Sequence, residues 1–118
     1  MMTRFHLTRS LLARGERDGT LSVCCFPTGA LLWRQEAHTG PLTALAWEPR
    51  GQLLASGGRD GLVHVWQAAT GTRVCTFHQG RKVACLSWSE DGSCLSSASG
   101  STIQIWEVPG QADVASAA

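Results

Sequence analysis

An all-β chain made of repeated antiparallel sheets is the fold class this sequence predicts, and three observations predict it. The first is self-similarity. Displaced by 42 positions, residues 5–34 fall on residues 47–76 without a gap. Leu11-Leu12-Ala13 then lies on Leu53-Leu54-Ala55, Arg17-Asp18-Gly19 on Arg59-Asp60-Gly61, Val23 on Val65, and Thr28-Gly29 on Thr70-Gly71. A displacement of 41 carries Trp47 onto Trp88, Gly51 onto Gly92, Leu54 onto Leu95 and Ser56 onto Ser97; after a one-residue deletion Trp66 meets Trp106. The second observation is that short apolar runs are broken by turn residues every few positions, which specifies hairpins rather than βαβ units. The third is that no stretch sustains a 3.6-residue period, so helix content near zero is expected. A repeat of 41 or 42 residues has the length of one four-stranded propeller blade.

The middle repeat shows each element in turn. Residues 42–47 are apolar and read as a strand, closed by the turn Glu48-Pro49-Arg50-Gly51, where Pro presets φ and Gly tolerates a positive one. Residues 52–56 form a second strand, followed by the Gly-rich turn Gly57-Gly58-Arg59-Asp60-Gly61. Residues 62–66 form a third, in which Val63 and Val65 share a face. Ala69-Thr70-Gly71 turns the chain into a fourth strand over residues 72–77. The third strand recurs with the same alternation: Leu21 and Val23, Val63 and Val65, Ile103 and Ile105, with Ser22, His64 and Gln104 in the polar-tolerant slot between them. Residues 5–37 are expected to be a partial first blade with its inner strand largely missing. Residues 38–77 are a complete repeat, residues 78–109 a last repeat without its outer strand, and residues 110–118 a small, polar, disordered tail.

A chain of 118 residues is one domain at most. Its net charge of +1 and pI of about 7.7 point to neither nucleic acid nor an acidic membrane surface. No apolar run is long enough to span a bilayer, and no apolar core of a secretory signal is present. The first fifteen residues, with Arg4, Arg9, Arg14 and no acid, imitate a mitochondrial transit peptide, but the repeat accounts for most of them. Five cysteines without a paired C-x-x-C spacing argue against a metal site. They read instead as small apolar residues in a reducing compartment, cytoplasmic or nuclear. No cofactor is expected.

The stretch Leu54-Ala55-Ser56-Gly57-Gly58-Arg59-Asp60-Gly61-Leu62-Val63-His64-Val65-Trp66 resembles the core signature of a WD (Trp-Asp) repeat, with Ala37-His38 where that family usually carries Gly-His. The resemblance runs from Phe5 to about Val108 and implies antiparallel four-stranded propeller blades. It also implies a buried relay in which the Trp66 indole donates to Ser56, Ser56 bonds the ring of His38, and the other ring nitrogen bonds Asp60. The flanking repeats depart from this pattern. In the first, Asp18 is kept, but Cys24 stands for the Trp and Arg14 for the Ser. In the third, Trp106 and Ser97 remain, the turn Ala98-Ser99-Gly100-Ser101 is one residue shorter and lacks its Asp, and Gln79 takes the His slot. Ser56, His38 and Asp60 are also the residue types of a hydrolase triad. Ser56 lies within a strand, however, and not on the exposed elbow a nucleophile needs. The Gly57–Gly61 turn is no phosphate loop, since no Lys-Ser/Thr and no helix follow it.

About two and a half blades fall short of the four to eight of a closed ring, so an open partial propeller is expected. The alignment begins inside a repeat, which suggests the C-terminal portion of a larger propeller or a shortened gene product. An open arc leaves two apolar blade faces uncovered. Trp47, Trp88 and Leu45 are expected to want neighbours, with self-association through the exposed blade faces as the outcome. The resemblance places Arg17, Arg59, Arg81 and Lys82 on the narrower face together with Glu16 and Glu36, with an acidic or phosphorylated peptide as the ligand to suit the cations. It implies a non-catalytic scaffold for unidentified proteins or peptides, without nucleic acid or membrane. The alternative is a glycan- or small-ligand-binding propeller formed by self-association, which would show the same exposed Trp and polar pair in every repeat.

Overall fold

Short apolar runs joined by glycine-bearing turns have one economical way to satisfy their backbone groups, which is to pair antiparallel with the next run. The computed structural model, which describes residues 2–6, 10–26 and 28–108, is built this way throughout. Among the described residues there are three sheets and no helix. The first sheet holds β1 (Met2–His6), β2 (Leu11–Gly15), β3 (Thr20–Cys25) and β4 (Leu31–Glu36) in chain order. The second holds β5 (Leu42–Trp47), β6 (Leu53–Gly58), β7 (Leu62–Gln67) and β8 (Arg73–His78). The third holds β9 (Cys85–Trp88), β10 (Cys94–Ser99) and β11 (Thr102–Glu107). The repeat is visible in the irregularities as well. A register shift falls between Val23 and Cys24 where β3 meets β4, and again at the equivalent Val65 and Trp66 where β7 meets β8.

One expectation needs correction. The inner strand of the first blade is present as β1, paired with β2 along its whole length from Met2↔Gly15 to His6↔Leu11. Sequence identity between repeats fades before Phe5, but a ladder is made of backbone groups and needs no identity. Residues 110–118, expected as a disordered tail, lie outside the described residues.

The core consists of two seams between blades. In one, Leu11, Ala13, Leu21, Val23 and Trp33 of the first blade pack on Leu42, Leu45, Leu54, Trp66 and Ala68 of the second. In the other, Ala44, Leu53, Ala55, Val63 and Val65 of the second blade pack on Val83, Leu95 and Val108. Each blade thus uses one face of its strands toward each neighbour, as the period-2 alternation requires. The residues expected to lack cover are not the ones that do. Leu45 is buried, and Trp47 and Trp88 are half-buried against the seams. Among the described residues the exposed large apolar side chains are Ile103 and Ile105 on β11, at 71% and 73% exposure, with Phe26, Leu31 and Leu32 on the first blade. Leu45, Trp47 and Trp88 sit on innermost strands, which already have neighbours in this arc. Ile103 and Ile105 hold the positions of Val63 and Val65, which are fully buried because a further blade covers them.

Candidate functional site

The candidate site is the rim formed by the β2–β3, β6–β7 and β10–β11 turns and the loops that enter β5 and β9. Adjacent blades are knitted together there by backbone bonds. Gly19 O accepts from Ala37 N and His38 N, and Gly61 O accepts from Gln79 N and Gly80 N at the equivalent seam. Leu42 N donates to Glu16 O, and Val83 N to Gly58 O. The turn glycines are required: Gly19 and Gly61 have φ of 93° and 82°, and a Cβ on Gly19 would strike the carbonyl of His38.

In the middle blade the structure brings together His38, Ser56, Asp60 and Trp66. Trp66 Nε1 donates to Ser56 Oγ at 2.8 Å, Ser56 Oγ lies 2.9 Å from His38 Nε2, and His38 Nδ1 lies 3.1 Å from Asp60 Oδ1. The directions follow from the inventory of donors. An indole can only donate and an ionised carboxylate can only accept, so Ser56 passes its proton to Nε2 and the ring carries its hydrogen on Nδ1. Burial holds the His38 pKa below its ordinary value despite the nearby Asp60 carboxylate, so the contact is a hydrogen bond from a neutral ring. Burial pushes Asp60 up, but the amides of Leu62 and Thr39 and the His38 ring outweigh it and hold the carboxyl below its ordinary value. Ser56 is fully buried with its hydroxyl engaged on both sides, which leaves it no access to an external acyl group.

His64, read from sequence only as a polar-tolerant slot, lies against this relay. Its ring centroid is 4.7 Å from that of His38, and its Nδ1 is 2.8 Å from Thr76 Oγ1. Burial, with His38 and Arg73 adding to it, lowers its pKa to about 4.

The flanking blades differ in ways their sequences foreshadow. In the first, Arg14 turns outward to Glu16 at 3.2 Å, and Asp18 caps its own turn by accepting from Thr20 N at 3.0 Å. In the third, Trp106 Nε1 donates to Ser97 Oγ at 2.8 Å and Ser97 donates to Gln79 Oε1 at 2.5 Å. The backbone of Gln79 bonds Gly61 as Ala37 bonds Gly19, so the longer side chain reaches the relay from one residue earlier than His38 does.

Arg17, Arg59, Arg81 and Lys82 are all exposed, and none forms an ion pair among the described residues. Arg59 stands in the turn that meets the loop carrying Arg81 and Lys82, while Arg17 stands at the other seam. The acids beside two of them are spent on the turns, Asp18 on Thr20 and Asp60 on His38, Thr39 and Leu62. At the opposite rim sequence reasoning missed Glu48. It opens the Glu48-Pro49-Arg50-Gly51 turn, yet it is fully buried under Gly92 of the next blade, bonded to Arg50 Nε at 3.2 Å and to Gln52 N. The 41-residue match of Gly51 with Gly92 marked the second turn but carried no sign that the two blades touch there. Among the described residues no cluster could hold a metal ion, all five cysteines are free, and no helix is long and apolar enough to cross a membrane.

Comparison with known proteins follows the same lines. Residues 4–91 match the family described as the anaphase-promoting complex subunit 4 WD40 domain. The ribosome biogenesis protein BOP1 homolog of Caenorhabditis elegans is 46% identical over 65 residues, covering 54% of this chain and 10% of that protein. Small ribosomal subunit protein RACK1 of Medicago sativa is 35% identical over 71 residues, or 60% of this chain and 22% of its own. Cell division cycle 20.6, cofactor of APC complex, of Arabidopsis thaliana is 37% identical over 95 residues, 75% of this chain and 22% of its own. The chain thus spans only about a tenth to a fifth of the length of these relatives. Among solved structures, the computationally designed Ika4 protein superposes with a TM-score of 0.80 at 26% identity, covering 90% of this chain and 64% of the designed one.

Proposed function

Because the chain belongs to the WD40-repeat family, we propose that it is a non-catalytic scaffold that holds a partner protein through an acidic segment on the rim bearing Arg17, Arg59, Arg81 and Lys82. One observation carries this reading: the four cations are exposed and lack ion-pair partners among the described residues, while Asp18 and Asp60 are committed to their turns. Unpaired cations grouped on adjoining turns suit carboxylate or phosphate groups on a partner. Two of the matches bear names tied to the anaphase-promoting complex, which supports an assembly role in general. Self-association through the uncovered face of the third blade belongs to the same reading, as does a cytoplasmic or nuclear setting for free cysteines.

The glycan-binding alternative lacks support, because four of the five indoles are spent internally. Trp33 Nε1 donates to Ala68 O, Trp66 to Ser56, Trp88 to Ala46 O and Trp106 to Ser97. The test is capture of an acidic peptide by the chain and by the triple variant Arg59→Glu, Arg81→Glu, Lys82→Glu. Binding that disappears in the variant supports the rim; binding that persists unchanged sinks it. The non-catalytic part has its own check. Hydrolysis of an activated ester that is lost in a folded Ser56→Ala variant would contradict it.

A further inference from the structure

We propose that the rim of the third blade binds a carboxylate side chain of a partner, held by Gln79 Nε2 and flanked by Arg81 and Lys82. This inference rests on the acidic-segment reading of the rim and names one of its anchor points.

Hydrogen-bond polarity distinguishes the two blades. In the middle blade protons run from Trp66 to Ser56 to His38, and the relay ends on the Asp60 carboxylate. In the third blade Trp106 donates to Ser97 and Ser97 donates to Gln79 Oε1. Gln79 is 92% buried, being 8% exposed. Its amide has an acceptor end and a donor end, so it reproduces the polarity of a neutral histidine. Ser97 accepts from the indole and, with Oε1 facing it, turns its own proton to the amide oxygen. Gln79 Nε2 is therefore aimed away from Ser97, and it is buried without an acceptor. Buried donors left unpaired are rare in native proteins. The missing acceptor has an identifiable cause. Three residues separate Gly58 from Leu62, but only two separate Ser99 from Thr102, and the residue lost is the Asp.

Two further observations make this end of the relay a site for an outside group. In the middle blade the acceptor stands at the surface: the Asp60 side chain is 10% exposed and its bond from Thr39 N is open to solvent. In the third blade Gly80 and Gly100 are exposed, and a Cβ added to either meets nothing within 4 Å, so there is room beside both loops. The charges also agree. Residues 79–84 and 98–102 contain Arg81 and Lys82 and no acid, unlike the turns of the other two blades, which supply Asp18 and Asp60. A carboxylate is the group that fills this position in the middle blade, and its two oxygens can accept from the amide and from a cation together.

The test titrates a labelled hexapeptide of alternating Asp and Glu into the purified full chain in its assembled form. A phosphoserine-bearing Gly-Ser hexapeptide is titrated in parallel. Anisotropy reads affinity, and nitrogen-15 NMR follows the side-chain amide of Gln79. Two variants address the slot: Gln79→Met, and a graft in which Gly100-Ser101 is replaced by Arg-Asp-Gly to restore the missing carboxylate in the chain itself. A third, Arg81→Glu with Lys82→Glu, addresses the rim. The expected result is that the acidic peptide shifts the Gln79 amide resonances and that both slot variants weaken binding about tenfold or more. The graft should also raise the melting temperature. If charge reversal abolishes binding while both slot variants bind normally, this inference is wrong and the rim reading stands. If the chain does not bind the acidic peptide, or binding ignores charge reversal, the rim reading fails and takes this inference with it. Binding of the phosphopeptide alone, with Gln79 unmoved, overturns the carboxylate assignment.

Discussion

Ser56 has to serve two buried neighbours with one hydroxyl, and its removal tests the relay directly. In Ser56→Ala the Trp66 N–H loses its acceptor and His38 Nε2 its donor, so a loss of about 1–3 kcal/mol is expected, read as a lower urea midpoint. A second residue-scale expectation concerns acid. The folded chain holds His64 near a pKa of about 4, against an ordinary 6.5, so between those values the unfolded chain binds a proton that the folded chain refuses. Stability should therefore be flat above about pH 6.5 and fall as pH drops from there toward 4, by on the order of 2–3 kcal/mol for this residue. His38, shifted the same way, steepens the fall. Unfolding midpoints at pH 7.5 and pH 5 should differ clearly in the natural chain and less in His64→Gln. Much of the relay was legible because Trp, Ser, His and Asp at fixed offsets are chemically conspicuous. His64 was not, since its burial depends on Thr76 across the sheet and on the ring of His38 beside it. Glu48 was hidden for the same reason: the Gly92 turn that covers it belongs to another blade.

The strands were legible to within one or two residues in the middle repeat, where turn chemistry brackets each run; β6 runs on through Gly57 and Gly58, which read as turn. The inner strand β1 was not, because pairing through backbone groups leaves no repeat signature. At this scale the turns carry the inter-blade bonds, and glycine substitutions separate two effects. Gly40 and Gly61 both have positive φ, 101° and 82°. A Cβ at Gly40 meets open space, whereas one at Gly61 meets Arg81 N at 2.9 Å and Gly80 C at 3.0 Å. Gly40→Ala should cost only the backbone strain, about 1 kcal/mol. Gly61→Ala should cost that and more, because the loop entering β9 has to move and the bonds from Gln79 and Gly80 to Gly61 O are disturbed. Thermal melts of the two variants against the natural chain check the order.

At the scale of the whole molecule the core is divided into seams, so each blade depends on the one beside it. Val63 and Val65 are fully buried by the third blade, while Ile103 and Ile105 in the same positions face water. Covering a large apolar side chain is worth roughly 1.5–3 kcal/mol, so the pair provides a substantial drive toward association. The sequence displayed this alternation plainly; which face would be left bare depended on the direction in which the blades stack, and that emerged only from the packing. The measurement that bears most directly on the account is size-exclusion chromatography with light scattering on the 118-residue chain and on the double variant Ile103→Lys, Ile105→Lys. The account expects the natural chain to run as a multiple of 12.6 kDa and the variant to shift toward a single 12.6 kDa chain. A natural chain that is monomeric, soluble and cooperatively folded, with both isoleucines in place, would contradict it.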